Sequence, residues 1–285
     1  MTVNSLSELP PLSAEELAVD PLAVLRCDMR VFRSGPILQI LLYMMKACLA
    51  ASRVRLSQYC TEQQLLNTGV QDTEREELKN SLLLTQESAV IQILLESCQE
   101  TDQESQLRSR LTSVQEAQSA VCCYLHQAFI EDTSMSLAKL VHFQGYPHEL
   151  LSVTAAGVPS LFICLDTSPE LLSQPNIDKQ VFAVDLISHL SVTWALPKSL
   201  SYARLAVNSL YTLLGVLASD ERLELLSRVL PALVRICSAF PPLTEDCLQL
   251  LVMALNMFST SHNISKVNIY LIILKIIELS FCRQE

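Results

Sequence analysis

IDKQVFAVDLISHL, residues 177–190, confines Asp178, Asp185 and His189 to one narrow stripe and fills the rest with Val181, Phe182, Val184, Leu186, Ile187 and Leu190. The next segment, SLSYARLAVNSLYTLL (Ser199–Leu214), does the same. Ser201, Arg204, Asn208 and Thr212 form its polar stripe, and Leu200, Leu205, Leu210, Leu213, Leu214 and Leu217 cover the remainder. Apolar residues at three-to-four spacing mark helices, and a helix this apolar around most of its girth is buried between neighbouring layers.

The pattern recurs. Helix starts are expected near Ile177, Ser199, Glu221 and Leu243, at steps of about 22 residues. Two steps fall within the ~40–47-residue unit of HEAT and armadillo helical pairs. The expected fold is therefore all-α and solenoid-like, with an irregular helical bundle as the alternative, because the repetition lies in length and patterning rather than residue identity. Pro231 should kink the third helix or start a new one. Phe240-Pro-Pro242 should stop it, with Thr244 capping the fourth.

Working back toward the N-terminus, Gly145-Tyr-Pro, Gly157-Val-Pro, Ser168-Pro and Gln174-Pro break residues 131–176 into short pieces. Helices are expected over about Leu107–Ile130 and Ile37–Tyr59, and along Leu78, Leu82, Val90, Ile93, Leu94 and Cys98. Ser13-Ala-Glu-Glu16 and Thr73-Glu-Arg-Glu76 match capping boxes. The polar stretch Thr61–Asp72, containing Gly69, reads as a loop. The domain reading is a disordered lead over residues 1–11, a helical segment over 12–98, an acidic flexible linker over 99–106 and a helical solenoid-like region over 107–285.

Bulk composition narrows the function classes. Half of the 285 residues are apolar and 18% are charged, against roughly 25% charged in ordinary domains. Polar surface is short, so helices must be buried on most sides or covered by other chains. Five glycines leave little for hairpins, nucleotide folds or phosphate-cradling loops. Net charge is −10 and the basic residues are scattered, so no direct nucleic-acid surface is expected. The small row Arg26, Arg30, Arg33 reads as a solvated helix face. Ten cysteines without a C-x-x-C pair, after a polar opening, suggest free thiols in a reducing compartment. The runs Pro36–Ser52, Leu205–Ala218 and Ile269–Cys282 are apolar but interrupted by Lys46, Asn208, Lys275 and Glu278. Each reads as a core helix, and membrane insertion is the less favoured reading.

Catalytic patterns are weak. Cys123 and His126 lie three apart on one helix face, with His142, His148 and Cys164 downstream, but a structural zinc site needs a second paired spacing. A buried cysteine beside a hydrogen-bonded histidine fits better. Asp185 and His189, at i and i+4, suit a hydrogen bond on an exposed stripe, because Ser188 points about 100° away on an ideal helix. Glu96, Glu100, Asp102 and Glu104 sit in or beside the expected linker and cannot hold two metals at fixed separation. No catalytic, cofactor or metal residue is assigned. In His142-Phe-Gln-Gly-Tyr-Pro147, Phe143 and Tyr146 plug a tight corner, with Gly145 supplying an unusual backbone angle. Exposed instead, the two rings would make a rigid knob for a partner.

Several blocks also carry a resemblance. LSAEELAVDPLAVLRCDMRVFR (Leu12–Arg33), REELKN (Arg75–Asn80), IQILLE (Ile91–Glu96), AKLVHFQGYPHELL (Ala138–Leu151), ALPKSLSYARLAVN (Ala195–Asn208) and AFPPLTED (Ala239–Asp246) resemble, in order, the C-terminal portion of the Integrator subunit 2 family. The likeness runs from about Leu12 to about Asp246. Family proteins are much longer, and residues after about Ser259, including NIYLIILKIIELSF, do not resemble their tail. The resemblance implies a non-enzymatic scaffold in the nucleus, holding other Integrator subunits, especially the large scaffold subunit. It implies an indirect link to RNA polymerase II, nascent-transcript cleavage and small nuclear RNA 3′-end processing. Candidate partner contacts are Phe143, Tyr146, Lys198 and Arg204. The alternative function is a membrane-associated helical protein anchored through an apolar helix.

Overall fold

The computed structural model describes residues 35–66, 72–99 and 108–257. Among these residues the protein is all-α, with no strand. The helices are α1 (Gly35–Leu66), α2 (Asp72–Ser97), α3 (Arg108–Glu131), α4 (Ser136–Gln144), α5 (Leu151–Gly157), α6 (Ser168–Ser173), α7 (Ile177–Thr193), α8 (Pro197–Val216), α9 (Ser219–Ala239) and α10 (Thr244–Met257). Short 3₁₀ segments occupy His148–Leu150, Pro159–Thr167 and Pro241–Leu243. Two compact units emerge: residues up to Leu125 with Asp132–Val141, and His126–Glu131 with His142 onward. The lead over 1–11 and most of the acidic segment, residues 100–107, lie outside the described residues.

In the first unit α1 packs on α2. Arg53 pairs with Glu87, and the Cys60 thiol reaches the Arg75 carbonyl at 3.9 Å. One residue number rises as the other falls, so the two helices are antiparallel. Leu38, Leu41, Leu42, Met45 and Leu56 make the buried stripe of α1. Thr61–Leu66 continues α1, and Thr73 lies inside α2 rather than capping it. The polar residues 61–64 suggested a loop, yet Thr61 and Glu62 are exposed, and exposed helical positions tolerate polar side chains. Asp132 caps the start of α4, accepting from Leu137 N–H at 2.7 Å and Ala138 N–H at 3.2 Å.

The second unit is organised around α7, which packs against α5, α6, α8 and α9. Phe182, Leu186, Ile187 and Leu190 are buried, and so are Gln180, Ser188 and Ser191. Burial on almost every side is what its narrow polar stripe demanded. Its start is set by Asn176, whose Oδ1 accepts from Lys179 N–H at 3.0 Å. Helices α7–α10 begin within two residues of the four expected starts. Pro197 opens α8 in the position where a missing N–H costs nothing. Glu221 reaches back to Ala218 N–H at 3.4 Å to support the first turn of α9.

Arg228 bonds Asp178, and Arg235 bonds Asp185, each across a separation of 50 residues. The numbers rise together, so α7 and α9 run parallel. The three-residue connection Trp194–Leu196 makes α8 antiparallel to α7. α8 in turn packs on α10.

Two expectations are corrected. Pro231, expected to kink the third helix or start a new one, starts no new helix: α9 runs through it, with Pro231 on the exposed side. Thr244 has helical backbone (φ −59°, ψ −43°) and begins α10 as its first residue, so it is not a cap. The break at Gly145 is as expected, with φ at +78°, where a glycine avoids the strain of a side chain.

Candidate interaction surface

Three side-chain clusters and two outward faces are candidates for function in this fold. The first cluster grows from the corner after α4. The His142, Tyr146 and Phe182 rings pack together, with centroids 5.0–5.8 Å apart, and His148 meets Phe182 edge-on at 5.9 Å. His142 is fully buried and neither ring nitrogen has a hydrogen-bond partner. Burial, helped by the nearby Lys179 ammonium, pushes its pKa down to about 3. A ring that stays neutral among aromatics is a packing element. Tyr146 is 8% exposed, and Phe143 is half-buried on the last turn of α4.

The second cluster lies on the α7 stripe that the sequence suggested would be solvated. Asp185 accepts from Arg235 of α9 at 2.5 Å and meets His148 Nδ1 at 2.9 Å. Arg235 Nε also donates to Ser188 Oγ at 2.9 Å, and Ser188 donates to the Asp185 carbonyl at 2.8 Å. The expected Asp185–His189 bond gives way to a clasp between helices, because a guanidinium from α9 covers the stripe. His189 is half-buried, and burial followed by the Arg235 charge lowers its pKa to about 4. Every oxygen here is engaged in holding α7, α9 and the corner together, which describes structural cement rather than a nucleophile.

The third cluster is at the surface. Lys198 and Tyr202, on the first two turns of α8, both donate to Asp166, at 2.9 Å and 2.8 Å. The Lys198 ammonium also lies 5.6 Å from the Phe162 ring centroid. Partial burial pushes the Asp166 carboxyl up, but the bonds from Lys198 and Tyr202 outweigh it and hold the group below its usual range. Burial, with the bond to Asp166, raises Tyr202 to about 12. Lys198 is thus already engaged within the chain. Arg204 is exposed and forms no ion pair with another described residue. Tyr202 and Asp166 escaped the sequence reading. The i, i+4 spacing of Lys198 and Tyr202 was a usable signal, but nothing near them pointed to a carboxylate more than thirty residues upstream.

The residues considered for zinc are dispersed. Cys123 is exposed and its neighbour Cys122 is the buried one, with burial and the adjacent Cys123 pushing the Cys122 thiol up to about 11. His126 Nδ1 accepts from Ser160 N–H at 3.4 Å and lies 3.0 Å from Ser160 Oγ, so it caps the start of the Pro159–Thr167 segment. Among the described residues no group of three histidines, cysteines or carboxylates is placed to hold a metal ion. Cys237 and Cys247 are buried together, and their mutual hydrogen bond, then burial, push the Cys247 thiol upward.

The outward faces are apolar. α1 exposes Ile40 (59%), Tyr43 (77%), Met44 and Val54. Along Pro36–Glu62 it is long and apolar enough to cross a membrane. On the second unit, Tyr211 of α8 and Leu248, Val252, Met253 and Met257 of α10 line an open groove of about 650 Å³, rimmed by Glu245, Gln249 and Asn256.

A model of the Integrator complex subunit 2 family matches residues 1–263. The chain is 43% identical to the human protein of that name over 298 aligned residues, which take in 88% of this chain and 25% of the human protein. Its likeness to the Drosophila melanogaster protein is 39% over 249 residues, covering 84% of this chain and 22% of the other. A homologue in Dictyostelium discoideum is 32% identical over 258 residues. The chain spans about a quarter of the length of the human and chicken relatives it matches.

Proposed function

The chain belongs to the Integrator complex subunit 2 family, and from that premise we propose that it is a non-catalytic helical scaffold, holding other subunits of the Integrator complex in the nucleus. The observation that carries this reading is the pairing of family membership with unpaired apolar helix faces on an all-helical frame. Obligate interfaces resemble a core cut in half, and α1 offers such a half-core in Ile40, Tyr43, Met44 and Val54. The interior supports the same reading. Polar groups near the centre, Asp185, Arg235, His148 and Ser188, are spent on helix-to-helix bonds.

In this reading the large scaffold subunit is the foremost partner, and RNA polymerase II is reached through other subunits. The contribution to small nuclear RNA 3′-end formation and nascent-transcript cleavage is positional. In this reading the parallel α7 and α9 are two layers of a HEAT-like stack. Phe143, Tyr146, Lys198 and Arg204 remain the contact candidates, of which Arg204 is the most available, being exposed and outside any described ion pair. The test is co-purification of the tagged chain from nuclear extract. Recovery of Integrator subunits is the expected result; a soluble monomer that retains none of them contradicts the proposal.

A second reading rests on α1 alone. Its length and apolarity would allow Pro36–Glu62 to anchor the chain in a membrane. Against that, α1 presents Arg53, Arg55 and Gln58 among its exposed residues and buries Leu38, Leu41, Leu42 and Leu56 against protein. Carbonate washing of membranes separates the two: release into the wash removes the spanning option, and retention in the pellet supports it.

A further inference from the structure

α1 carries two heptad stripes. Leu38, Leu42, Met45, Leu49, Ser52 and Leu56 recur at steps of four and three; Leu49 is half-buried, the others are buried, and this is the side packed on α2. Ile37, Ile40, Met44, Ala47, Ala51, Val54 and Gln58 recur at steps of three and four, and every one of them is exposed. At about 100° per residue the two stripes lie roughly 200° apart, on opposite sides of the helix. An alternating three-four repeat held over three heptads is the spacing that lets one helix pack knobs-into-holes along another. The open stripe therefore calls for a helix, laid along α1 for about 32 Å.

We propose that the occupant is α1 of a second copy of this chain, packed antiparallel about a two-fold axis that passes between Met45 and Lys46. The order of side-chain sizes along the stripe selects it. That axis sets Ile37 against Val54, Ile40 against Ala51 and Met44 against Ala47, and each contact occurs twice. Every larger side chain thus meets a smaller one, which fills a seam without voids. A parallel pair would instead stack Ala47 on Ala47 and Ala51 on Ala51, two thin layers in succession that leave the middle of the seam empty. Charge agrees as well. No residue of the stripe is ionisable. The Lys46 ammonium lies 5.5 Å from the Tyr124 ring centroid and Arg53 pairs with Glu87, so both cations are engaged with their own chain. Arg55 flanks the stripe, and the two-fold holds its two copies about 28 Å apart. A strip about 32 Å long and half the girth of a helix about 11 Å across covers roughly 550 Å² per copy, or roughly 1,100 Å² in all, which clears the ~1,000 Å² of a specific interface. This goes beyond the scaffold reading: the half-core on α1 is complementary to itself, and the scaffold is doubled.

The test is sedimentation velocity on the full chain across a concentration series. The expected species has twice the chain's 31.8 kDa. Ala47→Glu, at an exposed position of α1, should weaken dimerisation at least ~100-fold by burying a carboxylate in the seam, with helix content by circular dichroism unchanged. Met44→Lys should do the same. Combining Met44→Lys with Ala47→Glu should restore dimerisation to within ~10-fold of the parent, because the antiparallel two-fold brings the new ammonium at 44 against the new carboxylate at 47 of the other copy. The proposal is overturned by a chain that stays monomeric up to about 100 µM, by a dimer that Ala47→Glu leaves intact, or by a double variant that fails to recover.

Discussion

Replacing His142 with phenylalanine tests the reading of the aromatic corner quantitatively. Folded His142 stays neutral down to about pH 3, against an ordinary value of 6.5. Its folded pKa is the lower one, so its share of stability is fully present above pH 6.5 and is lost as pH falls from 6.5 toward 3. At pH 5 the unfolded ring has bound most of a proton and the folded ring almost none. The difference is about 1.5 pH units, worth about 2 kcal/mol at about 1.4 kcal/mol per unit. Phenylalanine keeps the packing against Tyr146 and Phe182 and removes two buried nitrogens that lack partners. His142→Phe should therefore be at least as stable as the parent at pH 7.5, and should lose about 2 kcal/mol less on going to pH 5. Trp194 is the single tryptophan and lies in the same unit, so urea titrations followed by its fluorescence read the relevant transition. His189 acts in the same direction but is present in both proteins. Equal acid losses in parent and variant would refute the argument.

Other consequences follow from the same contacts. A double-mutant cycle between Asp185→Ala and Arg235→Ala should give a coupling of ~1–2 kcal/mol in urea unfolding, below a fully buried pair because Arg235 is partly exposed; a coupling near zero would mean the clasp does not join α7 to α9. Leu186→Ala removes a fully buried side chain of the central helix and should cost ~2–5 kcal/mol by the same titration. Lys198→Ala and Tyr202→Phe, at the surface cluster on Asp166, should each change stability by no more than ~1 kcal/mol, and circular dichroism should show unchanged helix content.

The helical class and the starts of α7–α10 were legible because burial on most sides writes a narrow polar stripe into the sequence. Asp178, Asp185 and His189 were correctly grouped on one stripe. What covered that stripe was not legible, since Arg235 arrives from 50 residues away, and i, i+4 spacing reports only neighbours on the same helix. The Lys198–Asp166–Tyr202 cluster stayed hidden for the same reason. Leu205 was grouped with the buried face of α8 but is 37% exposed, because side-chain type alone does not say which arc a neighbouring helix reaches. The corner at Gly145 was readable from backbone chemistry, whereas the depth of Tyr146 depended on Phe182 from another helix.

The most direct test of the scaffold claim is cross-linking mass spectrometry on complexes assembled around this chain in nuclear extract. Lys46 on α1 and Lys198 on α8 are exposed and accessible to amine-directed cross-linkers. The account predicts links from these lysines to other Integrator subunits, above all the large scaffold subunit. Links confined to this chain, with no Integrator subunit among the products, would contradict it.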